Sequence, residues 1–162
     1  MRSAAHSALK TAPLAQRLAL GVPLLLLGGA YLSQYGFDLY PCQMCWWQRY
    51  THFAAVALAI LSFIIAPRRL WVALAGIAIL ISGLIGGFHA GVEYGWWEGI
   101  TGCASTIDPT ADPMDAIMNA PLVRCDVAPW TLIGISLAGW NFIISTAAAI
   151  AIFLNLSHTG AR

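Results

Sequence analysis

Residues 70–88 read LWVALAGIAILISGLIGGF, a run without a single charged side chain. A helix of this length spans about 30 Å, which is the thickness of the hydrocarbon core of a bilayer. The whole chain has the same character, because 59% of its 162 residues are hydrophobic and only 9% are charged. A soluble domain carries about 25% charged residues. The run therefore predicts a membrane-spanning helix in an integral membrane protein.

Three further apolar runs flank it, at about residues 14–32, 46–66 and 130–154. The run at 46–66 is interrupted by Gln48, Arg49 and His52, and each of the three is long enough to cross a bilayer. We therefore predict an all-α fold in which the chain forms a single integral membrane domain, a four-helix bundle.

Basic residues mark one side of the membrane. They lie at the start of the chain, between the second and third runs, and at its end: Arg2, Lys10, Arg17, Arg68, Arg69 and Arg162. The positive-inside rule then places both termini in the cytoplasm. A cleaved signal peptide is an alternative for the first run, but that run exceeds the about 7–15 apolar residues of a signal. The net charge of +1 gives no indication of a nucleic-acid partner.

The four cysteines all lie on the outer side of this predicted topology. Cys42 and Cys45 fall in the loop at 33–45, and Cys103 and Cys125 in the long loop at 89–129. Disulfides persist on that oxidising side. Structural disulfides are one interpretation, but a CxxC bridge closes too small a loop to stabilise much. The same spacing is typical of redox exchange, so we predict two redox loops.

A metal site is the other use of such cysteines. A zinc site of two CxxC pairs is not predicted, because only one pair has that spacing and no histidine spacing fits. A c-type haem needs CxxCH, whereas Trp46 follows Cys45. We therefore predict no metal.

An arginine shares a helix face with the CxxC pair. In a helix that starts near Cys42, the positions of Cys42, Cys45 and Arg49 are i, i+3 and i+7. A helix N-terminus favours a thiolate, and Arg49 adds a permanent positive charge. The alternative is that Arg49 only extends to water at the interface. A cation beside a thiolate at the membrane edge indicates a lipid-soluble electron acceptor, for which a quinone is the candidate.

Other polar residues near the outer loops give weaker indications of a functional role. His89, at the outer end of the third run, could donate a hydrogen bond or proton to a quinone, or simply be solvated. Glu93 and Glu98 could transfer protons but are more typical of exposed loop charges, and His52 is more typical of packing within the bundle.

The long outer loop contains the segment PMDAIMNAP at residues 113–121. Met114, Ile117 and Met118 recur at helical spacing and predict a short interfacial helix on the membrane surface. A local hydrophobic contact inside the loop is the alternative.

Several motifs together resemble the bacterial disulfide-bond formation protein B family over nearly the whole chain. These are the four runs, PCxxC followed by xxQR at residues 41–49, FHAGVEYGWWEG at residues 88–99, and the second cysteine pair. The resemblance implies a thiol:quinone oxidoreductase of the bacterial inner membrane. It would reoxidise a periplasmic thioredoxin-fold disulfide oxidase and pass the electrons to ubiquinone or menaquinone from the lipid.

The resemblance also implies a role for each cysteine. Cys103 would form the mixed disulfide with the partner, and Cys125 would pass electrons to Cys42 through an inter-loop disulfide. Cys45 would then face the quinone as a thiolate, with Arg49 stabilising the charge. Alternatives are a paralogue with a dedicated client, a vitamin K epoxide reductase-like enzyme, or a non-enzymatic membrane scaffold with structural disulfides.

Overall fold

The computed structural model describes residues 13–101, 104–105, 114 and 122–160, and its architecture is all-α. Its four long helices are α1 Pro13–Gly36, α2 Gln43–Ile64, α3 Arg68–Glu93 and α4 Leu137–Gly160. Within this described part, α1, α3 and α4 are long and apolar enough to cross a membrane. The 22-residue α2 is also long, but Gln48, Arg49 and His52 make it less apolar than the other three.

The helices overlap the four predicted runs, but their bounds differ. Cys42 is the residue that caps α2, so the CxxC pair belongs to the first turn of a helix rather than to a loop. At the other end of the site, α3 continues to Glu93, past the predicted limit at residue 88. The extra turn extends the helical scaffold of the bundle towards the outer loop.

The predicted start of the fourth run at residue 130 needs correction, because α4 begins only at Leu137. The preceding residues form a hairpin of β3, Thr131–Leu132, and β4, Ile135–Ser136. Its two-residue turn, Ile133 and Gly134, has φ angles of 54° and 75°. Positive φ at both turn positions matches the twist of a hairpin. Apolar composition alone does not separate such short strands from the start of a helix.

A second pair of strands lies in the long outer loop. β1, Ala104–Ser105, pairs antiparallel with β2, Leu122–Val123, and Ala104 lies opposite Val123. The pairing brings together two segments of the loop that are far apart in sequence. Of the predicted interfacial helix, only Met114 falls within the described residues, so that prediction is not tested.

Small residues allow the helices to pack closely. The helix α3 packs against α2 and α4, and α1 packs against the same two helices. Gly86 shows how close α3 and α4 come, because a Cβ there would lie 2.8 Å from the carbonyl oxygen of Ala138. The core is rich in alanines from all four helices: Ala15, Ala19, Ala55, Ala59, Ala75, Ala78, Ala148 and Ala149. Such short side chains are typical of helix contacts inside membranes.

Tyr94 fastens the β3–β4 hairpin to the end of α3. Its hydroxyl donates to the carbonyl of Gly134 at 3.1 Å and accepts from the backbone N–H of Ser136 at 2.9 Å. Trp97 folds back on the same helix end and donates from Nε1 to the carbonyl of Phe88 at 3.0 Å. The hairpin and the loop are thereby held close to the cysteine pair.

Candidate functional site

The CxxC spacing places its two sulfurs together because Cys42 caps α2 and Cys45 is the third residue of that helix. The Sγ of Cys42 accepts a hydrogen bond from the backbone N–H of Cys45 at 3.2 Å. This is the geometry of a side-chain N-cap. The two Sγ atoms lie 2.8 Å apart. Both thiols therefore occupy the positive end of the helix dipole, where a thiolate is stabilised.

Cys125 joins this pair from the long outer loop. Cys42 and Cys125 are both buried and pack in one cluster with Met44 and Val92. Cys42, Cys45 and Cys125 are free thiols in this structure. Cys103 lies outside the described residues. The geometry thus brings together three of the four predicted redox cysteines.

The Cys42 thiol lies just before the membrane helix and holds its proton strongly. The hydrogen bond with Cys45, followed by burial, raises the pKa of Cys42 well above its usual range. Of the two thiols, Cys42 is therefore the one that favours its protonated form. It serves as the donor that stabilises a negative charge on its neighbour.

His89 lies against the cysteine pair, on the side of α3. Its Nε2 is 3.5 Å from the Sγ of Cys42 and 3.7 Å from Oε1 of Glu93. The side chains of His89 and Glu93 are each only 3% exposed. The expectation that Glu93 is an exposed loop charge was wrong, because the extra turn of α3 directs it into the bundle one turn after His89. Glu98 is exposed, as predicted.

Arg49 is buried and bound to the neighbouring helix α1. The residue is 6% exposed, and it donates to Oε1 of Gln34 at 2.5 Å and to the carbonyl of Ala30 at 3.0 Å. Its guanidinium also lies over the rings of Tyr31 and Trp46, at 4.9 and 5.1 Å from their centroids. The alternative that Arg49 only extends to water at the interface is therefore wrong, because its guanidinium is held inside the protein.

Two adjoining cavities meet at the cysteine pair. The inner one, of about 240 Å³, lies between the helices and has apolar walls that include Leu25, Leu26 and Leu27. Its polar lining comprises Ser33, Cys45, Gln48, Arg49, His52, His89, Glu93 and Asn141. The outer one, of about 380 Å³, is lined by Cys42 together with Asp38 and Arg124 from the outer segments.

Cys45 belongs to both cavities. Tyr40, Cys45, His89, Glu93 and Pro129 line the inner and the outer cavity alike. Cys42 lines only the outer one, and Arg49 only the inner one. The sequence predicts that Cys42, Cys45 and Arg49 share one helix face. In the structure this face borders both cavities, with Cys45 at the boundary between them. A thiol exchanging on the outer side has a neighbour, 2.8 Å away, that also faces the apolar interior.

Cys42, Cys45 and His89 are also the residues that could hold a metal. Their ligand atoms all lie within 4.8 Å of one another. Sequence spacing missed this grouping because His89 is distant in the chain and arrives through helix packing. The sulfurs at 2.8 Å are, however, closer than the about 3.8 Å that separates two thiolates on one tetrahedral zinc ion. The geometry suits two cysteines that can be joined in a disulfide when an oxidant removes two electrons.

A helical membrane protein with a third cysteine packed on a CxxC pair is built for thiol–disulfide chemistry. The sequence profile of "Disulfide bond formation protein DsbB" matches residues 13–155. The chain belongs to this DsbB family, as the sequence motifs predict. It is accordingly a membrane oxidoreductase of disulfide-bond formation.

Relatives named "Disulfide bond formation protein B" match most of the chain. The relative from Azoarcus sp. is 28% identical over 135 residues, which cover 78% of this chain and 80% of the relative. The one from Marinobacter nauticus is 23% identical over 148 residues, covering 85% and 88%. The one from Polaromonas sp. is 27% identical over 141 residues, covering 82% and 83%. No solved structure gives a significant match.

Proposed function

We propose that this protein is a thiol:quinone oxidoreductase that reoxidises a periplasmic thioredoxin-fold disulfide oxidase. Electrons would enter at Cys103 and Cys125, continue to Cys42 and Cys45, and leave to ubiquinone or menaquinone. The observation that carries the proposal is the position of Cys45, which lines both the outer cavity and the apolar inner cavity. A single sulfur can there connect exchange on the outer side with an acceptor dissolved in the lipid.

The exchange steps balance as successive attacks of thiolate on disulfide. A thiolate of the partner attacks the Cys103–Cys125 disulfide at Cys103, and Cys125 leaves as a thiolate. Cys125 then attacks the Cys42–Cys45 disulfide at Cys42, and Cys45 leaves as a thiolate. The partner's second thiol displaces Cys103, which completes the partner's disulfide. Packing of Cys125 against Cys42 supports the second step.

The thiolate released at Cys45 is stabilised by three features of the site. It lies in the first turn of α2, where the helix dipole is positive. The Cys42 thiol is in contact with it, and the Arg49 guanidinium exerts a favourable electrostatic effect on it. These contacts favour Cys45 as the leaving group, because a stabler thiolate leaves a disulfide faster.

The inner cavity fits a quinone by the chemistry of its lining. Leu25, Leu26 and Leu27 provide an apolar wall, and Arg49 provides hydrogen-bond donors for a ring carbonyl. Arg49 binds two acceptors on α1 and has five N–H groups in total, so donors remain. A bound quinone supplies the oxidant, which takes up two electrons and two protons. Arg49 would orient it, and the leucines would exclude water.

The decisive experiment supplies the purified protein with a reduced thioredoxin-fold oxidase and a short-chain ubiquinone. We expect quinone absorbance to fall as the partner is oxidised. Cys103→Ser is expected to block partner oxidation and to leave the Cys42–Cys45 pair reactive with quinone. An absence of turnover with every quinone tested would support the inert scaffold instead. If the thioredoxin-fold oxidase is not a substrate and one different dithiol protein is, the protein would be a paralogue with a dedicated client.

We further propose that all four helices cross the inner membrane, with both termini cytoplasmic and the cysteine loops periplasmic. The distribution of side chains on α2 supports a membrane position for this helix. Its polar residues Gln48, Arg49 and His52 are buried, whereas its apolar residues Phe53 and Phe63 are exposed. An apolar exterior around a polar interior suits a lipid environment. A reporter that is active only in the cytoplasm is expected to work when fused after Arg162. Activity of a periplasmic reporter at that position would contradict the topology.

A further inference from the structure

A chain of buried side-chain hydrogen bonds connects the cysteine pair with α4. It runs from Cys42 to His89 on α3, then to Gln48 on α2, and ends at Asn141 on α4. Gln48, His89 and Asn141 are all buried. The absence of a side chain at Gly86 allows α2, α3 and α4 to approach closely here. A Cβ at this position would lie 3.0 Å from Nδ2 of Asn141 and 3.2 Å from Oε1 of Gln48.

In this series of hydrogen bonds, contacts with backbone carbonyls show which end of each side-chain amide is the NH₂ group, because a carbonyl accepts and never donates. Nδ2 of Asn141 donates to the carbonyl of Ser82 at 3.1 Å and to Oε1 of Gln48 at 2.8 Å. Oδ1 of Asn141 accepts from His52 at 2.9 Å and from Ser145 at 2.8 Å. Both ends of the Asn141 amide are therefore satisfied in one orientation only.

The Gln48 amide is fixed in the same way. Its Oε1 faces Asn141, and its Nε2 donates to the carbonyl of Met44 at 3.1 Å. The second hydrogen on that nitrogen points to Nδ1 of His89, also at 3.1 Å. Since an amide nitrogen has no acceptor capacity, Nδ1 of His89 must be the unprotonated nitrogen.

A neutral His89 consequently carries its proton on Nε2, the nitrogen that faces Cys42 at 3.5 Å and Glu93 at 3.7 Å. Among the described residues, the ionisable groups near this ring are Cys42 and Cys45 from α2, Glu93 from α3, and Cys125 from the outer loop. The tautomer is thus set by Gln48, three residues after Cys45 on α2, together with Asn141 on α4.

We propose that Gln48 and Asn141 are positioning residues that hold His89 as a hydrogen-bond donor to the sulfur of Cys42. The inference rests on the proposed function. When the thiolate of Cys103 attacks Cys125 of an inter-loop Cys42–Cys125 disulfide, that S–S bond breaks and Cys42 leaves as a thiolate. The N–H at Nε2 of His89 stabilises the departing sulfur. The wrong tautomer would present a lone pair to it and slow the step.

The tautomer is measured directly by nitrogen NMR of the full-length reduced protein in detergent, with labelled histidine and a His89→Asn variant to assign the signal. We expect Nδ1 of His89 to be unprotonated and Nε2 protonated. In Gln48→Glu, a carboxylate oxygen replaces the donor at nearly constant size, so Nδ1 is expected to become protonated. A proton on Nδ1 in the unmodified protein, or an unprotonated Nδ1 in Gln48→Glu, would overturn the proposal. Neither outcome depends on quinone reduction.

A kinetic test separates positioning from support of the fold. Asn141→Leu is expected to lower the rate of exchange with the partner by about 10- to 100-fold, a larger factor than any rise in the KM for quinone at the inner cavity that Asn141 also lines. Gln48→Glu is expected to lower the same rate. Thr146→Val is the matched control, because this buried α4 hydroxyl has no hydrogen-bond partner among the residues that the structure describes. Its rates should not change.

Melting temperatures of the three variants distinguish misfolding from lost positioning. If Asn141→Leu does not fold, Gln48→Glu supplies the same comparison, since it keeps the size of the side chain. Full exchange activity in a folded variant whose His89 tautomer has changed would overturn the proposal. Equal losses in exchange and in quinone binding would also overturn it, because they would indicate a general disturbance of the bundle.

Discussion

Cys45→Ser is expected to reduce turnover with quinone to the uncatalysed background. Within the described part of the chain, Cys45 is the one cysteine that lines the inner cavity, so no other described sulfur can deliver electrons there. A serine hydroxyl has a similar size, but it neither forms disulfides nor ionises near neutral pH. The measurement is steady-state quinone reduction with a reduced thioredoxin-fold partner. The partner should still be oxidised once per protein molecule, through the Cys103–Cys125 pair.

Ser33→Ala is a suitable control for Cys45→Ser. Ser33 also lines the inner cavity, but its hydroxyl donates to the carbonyl of Gly29 within its own helix. Its removal should leave turnover within about twofold, because the lost bond is local and exposed. Sustained multiple turnover by Cys45→Ser would show that electrons reach the quinone by another route, and the proposed order of cysteines would then be wrong.

Arg49→Met is expected to raise the KM for quinone by about 10- to 100-fold. A hydrogen bond to a charged group contributes about 1.5–3 kcal/mol, and each 1.4 kcal/mol changes an affinity about tenfold. The site is also shielded from water, since Arg49 is 6% exposed. Exchange between the partner and Cys103 should change little, because Arg49 does not line the outer cavity. Quinone titrations and stopped-flow partner oxidation measure the two effects separately.

Two neighbouring variants test whether charge or packing matters at Arg49. Arg49→Lys keeps the charge, but its single ammonium is not a planar fork that serves Gln34 and the Ala30 carbonyl together. It should lie between Arg49→Met and the unmodified protein. Gln34→Leu removes one anchor and keeps the guanidinium, so its KM should rise less than that of Arg49→Met. An equal loss of partner exchange and quinone binding in Arg49→Met would mean that Arg49 mainly supports the fold.

Local patterns in the sequence predicted the class of protein and most of the site. Long uncharged runs predict helices because only internally hydrogen-bonded segments are stable in lipid. The spacing of Cys42, Cys45 and Arg49 predicts their common helix because the period of 3.6 residues is a property of the backbone itself. The recognised motifs also indicated the family, which the sequence profile confirms. These features depend on residues that lie within about two helical turns of one another in the sequence.

Contacts between distant segments could not be predicted in this way. Cys125 reaches Cys42, and His89 reaches the same sulfur, only because helices and loops pack in one arrangement. Glu93 is buried because α3 extends one turn further than its apolar run. Asn141 showed no pattern in the sequence, since a single amide on an apolar helix gains its role only from the groups it meets.

The sequence by itself determined that the chain is a helical membrane protein, with a CxxC cysteine pair one helical turn before an arginine. Tertiary structure alone decided that Cys45 lies between two cavities and that an amide network orients His89. The physical reason is the range of the interactions. Helix formation and hydropathy are local properties of the chain, whereas cavities and the direction of buried hydrogen bonds depend on the packing of several helices.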